Sequence, residues 1–197
     1  MPSNRPPLVL ASSSSYRREL LARLQLPFTC HSPEIDETPY ADESPHALVQ
    51  RLALSKAREL AAHYPAHVII GSDQVAVLDG RIIGKPLHAE GAARQLSAAS
   101  GRSVVFLTGI AVLDTRTGSE QADVVPFSVH FRNLSAAHIQ RYIDLEQPFD
   151  CAGSFKSEGL GVSLFQATEG SDATSLVGLP LIRLCDMLKA CGVSPLD

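Results

Sequence analysis

The stretch HVIIGSDQVAVLDGRIIGKP, residues 67–86, contains the pattern that best indicates the fold. Two apolar runs flank the tetrapeptide GSDQ (71–74), and the dipeptide DG is typical of a turn before a third, shorter run. Apolar β-branched runs bounded by Gly and Asp-Gly favour strands joined by tight connections. We therefore expect Asp73 and Lys85 at strand ends within one local sheet. An acid and a lysine placed in this way can hold a metal ion and a phosphate.

The composition is that of an ordinary globular protein. The 197 residues are 45% hydrophobic and 19% charged, enough to bury a core as one domain or as two closely apposed lobes. We expect a single domain over residues 1–197, with residues 1–7 as a flexible N-terminus. The net charge of -4 argues against a nucleic-acid polymer as partner, because such binders carry a basic excess. A nucleotide needs only a few well-placed cations.

Cysteine usage and hydropathy indicate the compartment. None of the four cysteines forms a Cys-x-x-Cys pair, so we expect reduced thiols. The apolar run near the N-terminus is too short for a secretory signal, and no run approaches the ~20 apolar residues of a membrane span. We therefore expect a cytoplasmic protein without a membrane partner.

A second polar cluster follows the first predicted strand, residues 8–11. Four serines lead into a helix whose first turn carries Arg17 and Arg18. A helix N-terminus favours an anion and disfavours cations, so a bound phosphate would explain the two arginines. Ordinary N-capping by Ser15 with solvated arginines explains the pattern equally well. From the spacing alone, both interpretations remain open.

The next segment combines an acidic loop with a helix. Residues 32–43 are rich in carboxylates, among them Glu37, and Ser44-Pro45 is a typical helix start. Lys56 lies at the edge of the apolar stripe of that helix. It either extends along the surface or points into a cleft.

A third cluster, CAGSFKSEGLG, occupies residues 151–161, and its glycines indicate close backbone approach or positive φ. We expect Thr108-Gly109 to interrupt a strand over residues 103–113, and residues 162–165 to form a strand. Strands and helices interleave, with a hairpin at residues 114–119. The pattern predicts an α/β fold, with a mixed parallel and antiparallel twisted sheet flanked by helices.

The residue types at the three clusters point to a phosphate ligand. Carboxylates and phosphate oxygens together suit Mg²⁺ or Mn²⁺. The sequence contains no Walker-type Gly-x-x-x-x-Gly-Lys-Ser/Thr, no Gly-x-Ser-x-Gly and no His-Glu-x-x-His. P-loop enzymes, serine hydrolases with a nucleophile elbow and zincin-type proteases are therefore disfavoured.

Eight motifs in order resemble the Maf family of nucleoside triphosphate pyrophosphatases, across residues 8–192. They are LASSSSYRRELL (10–21), EIDETP (34–39), RLALSKA (51–57), GSDQV (71–75), GKP (84–86), SGRSVVFLTG (100–109), CAGSFKSEGLG (151–161) and LVGLPL (176–181). Gln74 and Glu158 resemble the 7-methyl-GTP branch, since the branch acting on dTTP and UTP has Thr and Gln there. Tyr16 departs from the Trp usual in that branch, and Ser15 departs from the Pro of most relatives.

The resemblance implies two lobes around a nucleotide cleft, as in Ham1-like inosine triphosphate pyrophosphatases. It implies hydrolysis of a nucleoside triphosphate to the monophosphate and pyrophosphate, with Asp73 as proton acceptor. A divalent cation would be held by Asp73 and Glu37. The remaining substrate-binding residues by motif position are Ser12, Arg17, Lys56 and Lys85. The resemblance also suggests a homodimer.

Specificity has a physical basis in three residues. N7-methylation gives guanine a positive charge, which an aromatic face such as that of Tyr16 attracts by ~0.5–2 kcal/mol. The Glu158 carboxylate can accept hydrogen bonds from the guanine N1–H and amino group, and Gln74 adds donor and acceptor capacity. Two alternatives stay open: a pyrophosphatase for dTTP, UTP or other modified nucleotides, and a non-catalytic nucleotide-binding regulator of cell division.

Overall fold

A mixed β-sheet forms the centre of the molecule in the computed structural model, which describes residues 5–197. The described part contains seven strands in one sheet: β1 (Leu8–Ala11), β2 (Phe28–His31), β3 (Val68–Leu78), β4 (Arg81–Ile83), β5 (Ser103–Asp114), β6 (Ser119–Phe131) and β7 (Phe165–Gly170). Most of the expected flexible N-terminus, residues 1–4, lies outside the described residues. Pro6 is buried, and the Pro7 carbonyl accepts a hydrogen bond from the Val68 N–H at 3.0 Å.

Helices cover the sheet on both faces. They are α1 (Ser15–Ala22), α2 (Pro45–Glu59), α3 (Ala89–Ala99), α4 (Ala136–Glu146), α5 (Ala173–Val177) and α6 (Leu181–Ala190), with 3-10 turns at Ala152–Ser154 and Leu160–Leu164. The serines at the start of α2 and α4 cap them, since Ser44 accepts from the Ala47 N–H and Ser135 from the His138 N–H. Within residues 5–197, no helix has both the length and the hydropathy needed to cross a membrane.

The sheet is parallel on one side and antiparallel on the other. Its order is β2-β1-β3-β5-β6-β7, with β4 attached to the end of β3. β1 pairs in parallel with β2 and β3, whereas all other pairs are antiparallel. The predicted mixed α/β fold is confirmed, including the hairpin between β5 and β6.

β3 is one continuous strand of 11 residues, so two local predictions were wrong. Asp73 lies near the middle of β3 instead of at a strand end. Thr108-Gly109 does not interrupt β5, because these residues pair with Gln74 and Asp73 respectively. The ladder supplies backbone partners along the whole length, which keeps polar and glycine residues extended. The predicted strand at 162–165 was also wrong, since these residues end a 3-10 turn and begin β7.

The two long central strands connect two separate hydrophobic cores. The first half of β3 and the second half of β5 pack against α1 and α6, through Ile70 and Ile110 among others. The opposite halves pack with α3 and α4, through Ala76 and Phe106. Polar residues 72–74 therefore lie at the boundary between the cores, where a cleft can open.

Two glycines bring α2 into direct contact with the sheet. A Cβ on Gly71 would lie 2.0 Å from the Ala53 carbonyl oxygen, and one on Gly109 would lie 2.1 Å from the Val49 carbonyl oxygen. Only glycine permits this approach of helix backbone to strand backbone. The close contact sets the height of α2 over Asp73.

Candidate active site

A cleft of about 610 Å³ opens between the two cores. The structure brings together in its lining all nine residues selected from the sequence: Ser12, Tyr16, Arg17, Glu37, Lys56, Asp73, Gln74, Lys85 and Glu158. Arg18, the second member of the basic pair, is exposed and does not line the cleft. The volume falls in the range of sites for small molecules.

One lysine and two carboxylates form an ion cluster at the floor of the cleft. The Lys56 Nζ lies 2.7 Å from Asp73 Oδ1 and 2.7 Å from Glu37 Oε1. Lys56 and Asp73 are buried, whereas the Glu37 side chain is 58% exposed. Lys56 thus points into the cleft and not along the surface. An ammonium group has three donors, so one remains for a further acceptor.

The N-terminus of α1 forms the wall beside this cluster. Ser14, and not Ser15, caps the helix, by accepting from the Arg17 N–H at 3.3 Å. The Ser12 hydroxyl accepts from the Ser14 N–H at 3.1 Å. These contacts fix the serine run as a tight turn, while the Ser15 and Tyr16 amides of the first turn remain available to an anion.

Arg17 extends from α1 across the cleft. Its Nε donates to the Gly178 carbonyl at 2.8 Å, and its two terminal nitrogens have no hydrogen-bond partner among residues 5–197. Burial lowers the pKa of Arg17, and the negative charges of Asp73 and Glu37 oppose that change. An arginine stays charged despite such a shift. Its terminal nitrogens are free to bind a phosphate.

Tyr16 lies at the opposite end of the cleft, beside the third cluster. Burial, together with the neighbouring Cys151 and Asp150, raises the pKa of Tyr16 to about 12. Burial and Asp150 likewise raise the pKa of Cys151 to about 12. Both groups are therefore neutral near pH 7.

Gln74 points to the face of the sheet opposite Asp73, as alternation along β3 requires. Its amide nitrogen lies 2.9 Å from the Thr108 hydroxyl and 2.7 Å from the Ser175 carbonyl oxygen. It thus contacts α5, and its donors are not directed at the cleft. The expected donor capacity toward a ligand is therefore absent.

Loops hold the remaining predicted residues. Glu158 is exposed and accepts from the Ser157 hydroxyl at 2.9 Å. Lys85 is exposed after β4. The loop around residue 156 is anchored, because the Lys156 N–H donates to the Tyr142 hydroxyl at 3.0 Å and its Nζ donates to the Glu146 carbonyl at 3.0 Å.

A hydrogen-bonded chain connects this loop with the loop that carries Lys85. Gln95 of α3 accepts from the Ser154 hydroxyl at 2.5 Å and donates to the Gly84 carbonyl at 3.0 Å. Ser154 is buried at φ 62°, a conformation that costs a non-glycine residue ~1–3 kcal/mol. Gln95 therefore fixes the spacing of two walls of the cleft.

Sequence reasoning did not select the apolar lining. Phe106 and Phe155 line the cleft and pack edge to face, with ring centroids 5.3 Å apart. Leu176 and Val177 of α5 also contribute. Phe155 belongs to the FKSEG segment, so its motif could have identified it. The contributions of α5 depend on contacts about 100 residues distant in the sequence.

The donor set fits a divalent cation that also binds a phosphate ligand. Asp73 and Glu37 each contact the same Lys56 nitrogen, so their oxygens are close to one another. No group of three or more His, Cys, Asp or Glu side chains suited to a metal occurs among residues 5–197. Mg²⁺ in nucleotide sites is typically held by one or two carboxylates plus phosphates, which matches this pair.

Comparison with known proteins places the chain among close relatives. Residues 7–191 match the family described as Maf-like protein. A protein named 7-methyl-GTP pyrophosphatase from Pseudomonas savastanoi pv. phaseolicola is 68% identical over 96% of this chain and 98% of its own length. A protein of the same name from Pseudomonas aeruginosa is 63% identical over 95% of this chain and 98% of its own length.

A solved structure of a HAM1 protein from Coxiella burnetii is similar in fold. It has a TM-score of 0.50 and 15% identity, over 94% of this chain and 99% of that one. At this identity, the likeness shows the shared fold alone. The family match spans almost the whole chain, and the chain belongs to the Maf family.

Proposed function

We propose that this protein hydrolyses 7-methyl-GTP to 7-methyl-GMP and diphosphate. The observation that carries the proposal is the position of the Lys56–Asp73 pair, buried at the floor of a cleft between a cationic wall and an aromatic, acidic wall. The name shared by relatives 62–68% identical to this chain supports the same substrate. A hydrolase of this kind would remove a modified nucleotide from the pool.

The cationic wall suits a triphosphate. The free amides at the start of α1 and the Ser12 hydroxyl can bind phosphate oxygens. The Arg17 terminal nitrogens, the third Lys56 donor and the Lys85 ammonium offset the charge. Catalysis of phosphoryl-type transfer rests mainly on such positioning and charge stabilisation.

We assign proton acceptance to Asp73. Water attacks the α-phosphorus, the bond from that phosphorus to the bridging oxygen of the β-phosphate breaks, and diphosphate leaves with the bond electrons. The attacking water transfers its proton to Asp73. The hydrogen bond from the Lys56 ammonium, at 2.7 Å, holds the Asp73 carboxylate in a fixed orientation.

Asp73 and Glu37 would hold Mg²⁺ or Mn²⁺. When bound, the ion would offset negative charge on the phosphates. Because both carboxylates already face the same Lys56 nitrogen, they need little movement to share a ligand.

The base end of the cleft suits 7-methylguanine. The Tyr16 ring is neutral and can face the positively charged base. The Glu158 carboxylate can accept from the guanine N1–H and the 2-amino group. The family resemblance also supports a homodimer, which light scattering of the purified protein would test. The cysteine pattern and the short apolar runs support a cytoplasmic location, which cell fractionation would test.

The test is a panel of nucleoside triphosphates with detection of released pyrophosphate, run with Mg²⁺, with Mn²⁺ and with chelator. We expect the highest kcat/KM for 7-methyl-GTP and loss of activity in chelator. A preference for dTTP or UTP would contradict the assignment of 7-methyl-GTP as the substrate. Absence of hydrolysis with every nucleotide would favour a nucleotide-binding regulator.

A further inference from the structure

The Thr108 hydroxyl has one proton to donate, and a backbone carbonyl oxygen accepts it. Thr108 is fully buried on β5, directly opposite Gln74 on β3. Its hydroxyl donates to the Ser175 carbonyl at 2.8 Å. Because a hydroxyl carries one proton, the Thr108 oxygen can only accept from its other neighbour, the Gln74 side chain.

The surroundings of the Gln74 amide permit only one orientation. Besides Thr108, the carbonyl oxygens of Ser175 and Leu176 lie 2.7 Å and 3.2 Å from the Gln74 nitrogen. Reversing the amide would place its oxygen against three groups that offer no proton. A buried, unsatisfied acceptor is costly, so the nitrogen must face α5.

The Gln74 oxygen therefore faces the cleft. Gln74 lines the cleft, and among residues 5–197 its oxygen has no hydrogen-bond partner. It is not among the buried unsatisfied atoms of the described residues, so it is accessible to a ligand.

We propose that Thr108 is a positioning residue for specificity: together with the Ser175 and Leu176 carbonyl oxygens, it fixes the Gln74 amide so that Gln74 presents a hydrogen-bond acceptor, and no donor, to the base. This rests on the proposed function. Glu158 is likewise an acceptor when ionised. A site built from acceptors favours a base with adjacent donors, and guanine offers the N1–H and the 2-amino group.

Other bases satisfy such a site less well. Uracil and thymine present one N–H between two carbonyl oxygens, and adenine presents an unprotonated ring nitrogen beside its amino group. Hypoxanthine keeps the N1–H and lacks the 2-amino group. A site whose acceptors are left unpaired discriminates strongly against the analogue that lacks a donor.

The test measures binding of 7-methyl-GMP and 7-methyl-IMP by calorimetry, and kcat and KM for the corresponding triphosphates. We expect the parent protein to prefer the guanine compound by about tenfold or more. Thr108→Val should reduce this preference to about threefold or less, through KM with kcat nearly unchanged. Thr108→Ser keeps the hydroxyl and should restore the parent preference.

Equal weakening of both ligands in Thr108→Val would overturn the proposal, because it would indicate a structural role alone. An absence of preference in the parent, or of binding to either compound, would also overturn it. If Thr108→Val fails to fold by circular dichroism, Gln74→Leu must show the same loss of preference. A parent that binds 7-methyl-GMP selectively but does not hydrolyse 7-methyl-GTP would contradict the proposed function and support this inference.

Discussion

The two ends of the cleft are built in different ways. At the catalytic end, defined by Lys56, Asp73 and Glu37, the lysine and the aspartate are buried on α2 and β3. At the base end, defined by Tyr16, Gln74 and Glu158, the first two side chains are half-buried and the third is exposed, and two of the residues lie outside the central strands. Rigid elements hold groups to a fraction of an ångström, whereas loops tolerate substitution. Under the proposed function, buried core elements hold the catalytic groups, and half-buried or exposed residues at the margin of the core choose the base.

Gln74 is the exception that connects the two ends. It follows Asp73 directly on β3, and its side chain is held by α5, on the opposite face of the sheet from α2. Adjacent strand residues point to opposite faces, so one strand contributes to both ends. A change in the packing of β3 should therefore affect both functions.

The largest expected effect comes from removing the charge of Asp73. Asp73→Asn keeps the shape and removes the base, so kcat should fall by about a thousandfold. Pyrophosphate release measures the rate, and calorimetry with 7-methyl-GMP should show retained binding. Glu34→Gln is the matched control, since Glu34 is exposed and does not line the cleft. Activity within tenfold of the parent would contradict the assignment of Asp73.

The second effect is on stability and tests the close packing of the catalytic end. Gly109→Ala places a Cβ 2.1 Å from the Val49 carbonyl oxygen, so α2 must shift. We expect the free energy of unfolding to fall by about 3 kcal/mol. Urea denaturation measures this change.

Gly84→Ala is the control for that experiment, because its added Cβ meets no atom within 4 Å. It should change the free energy of unfolding by no more than about 0.5 kcal/mol. Equal effects at the two glycines would show that the contact between α2 and the sheet is unimportant.

A smaller effect is expected at the base end. Glu158→Gln replaces an acceptor that carries charge with an amide, so kcat/KM for 7-methyl-GTP should fall by about 10- to 100-fold. Because Glu158 is exposed, the melting temperature should stay within about 2 °C of the parent. Unchanged turnover in the variant would exclude Glu158 from base selection.

The smallest effect concerns the thiol beside Tyr16. With a pKa of about 12, the Cys151 thiol should be about 0.1% ionised at pH 9, where an ordinary exposed thiol is mostly thiolate. The pKa of Cys151 is raised because burial disfavours the charged thiolate. Burial also raises the pKa of Cys30, although that thiol is exposed. Iodoacetamide should still label Cys151 at least about tenfold more slowly than Cys30, as followed by mass spectrometry. Similar labelling rates would indicate that this wall of the cleft opens freely.

Much of the architecture could be predicted from local patterns. The cap of α2 and the hairpin at 114–119 follow from side-chain chemistry within a few residues. The nine selected residues line one cleft because their motifs lie beside the two central strands.

Two of the wrong predictions, for the strands β3 and β5, share one cause. Glycine and polar residues in a strand were interpreted as interruptions, at residues 71–74 and 108–109. In the structure, the same glycines allow α2 to approach the sheet. Local propensity is a weak guide where a partner strand supplies every backbone hydrogen bond.

Residue types and their order in the sequence were enough to identify the chemical groups: a carboxylate in an apolar stretch, a lysine on an apolar helix, an aromatic ring and a distant acid. Which atoms of these groups are free for a ligand depends on contacts between distant parts of the chain. Lys56 keeps one donor because two carboxylates converge on it, and Gln74 offers only its oxygen because α5, 101 residues away, binds its nitrogen. Residue type fixes the number of donors and acceptors, whereas long-range packing decides which of them remain for a ligand.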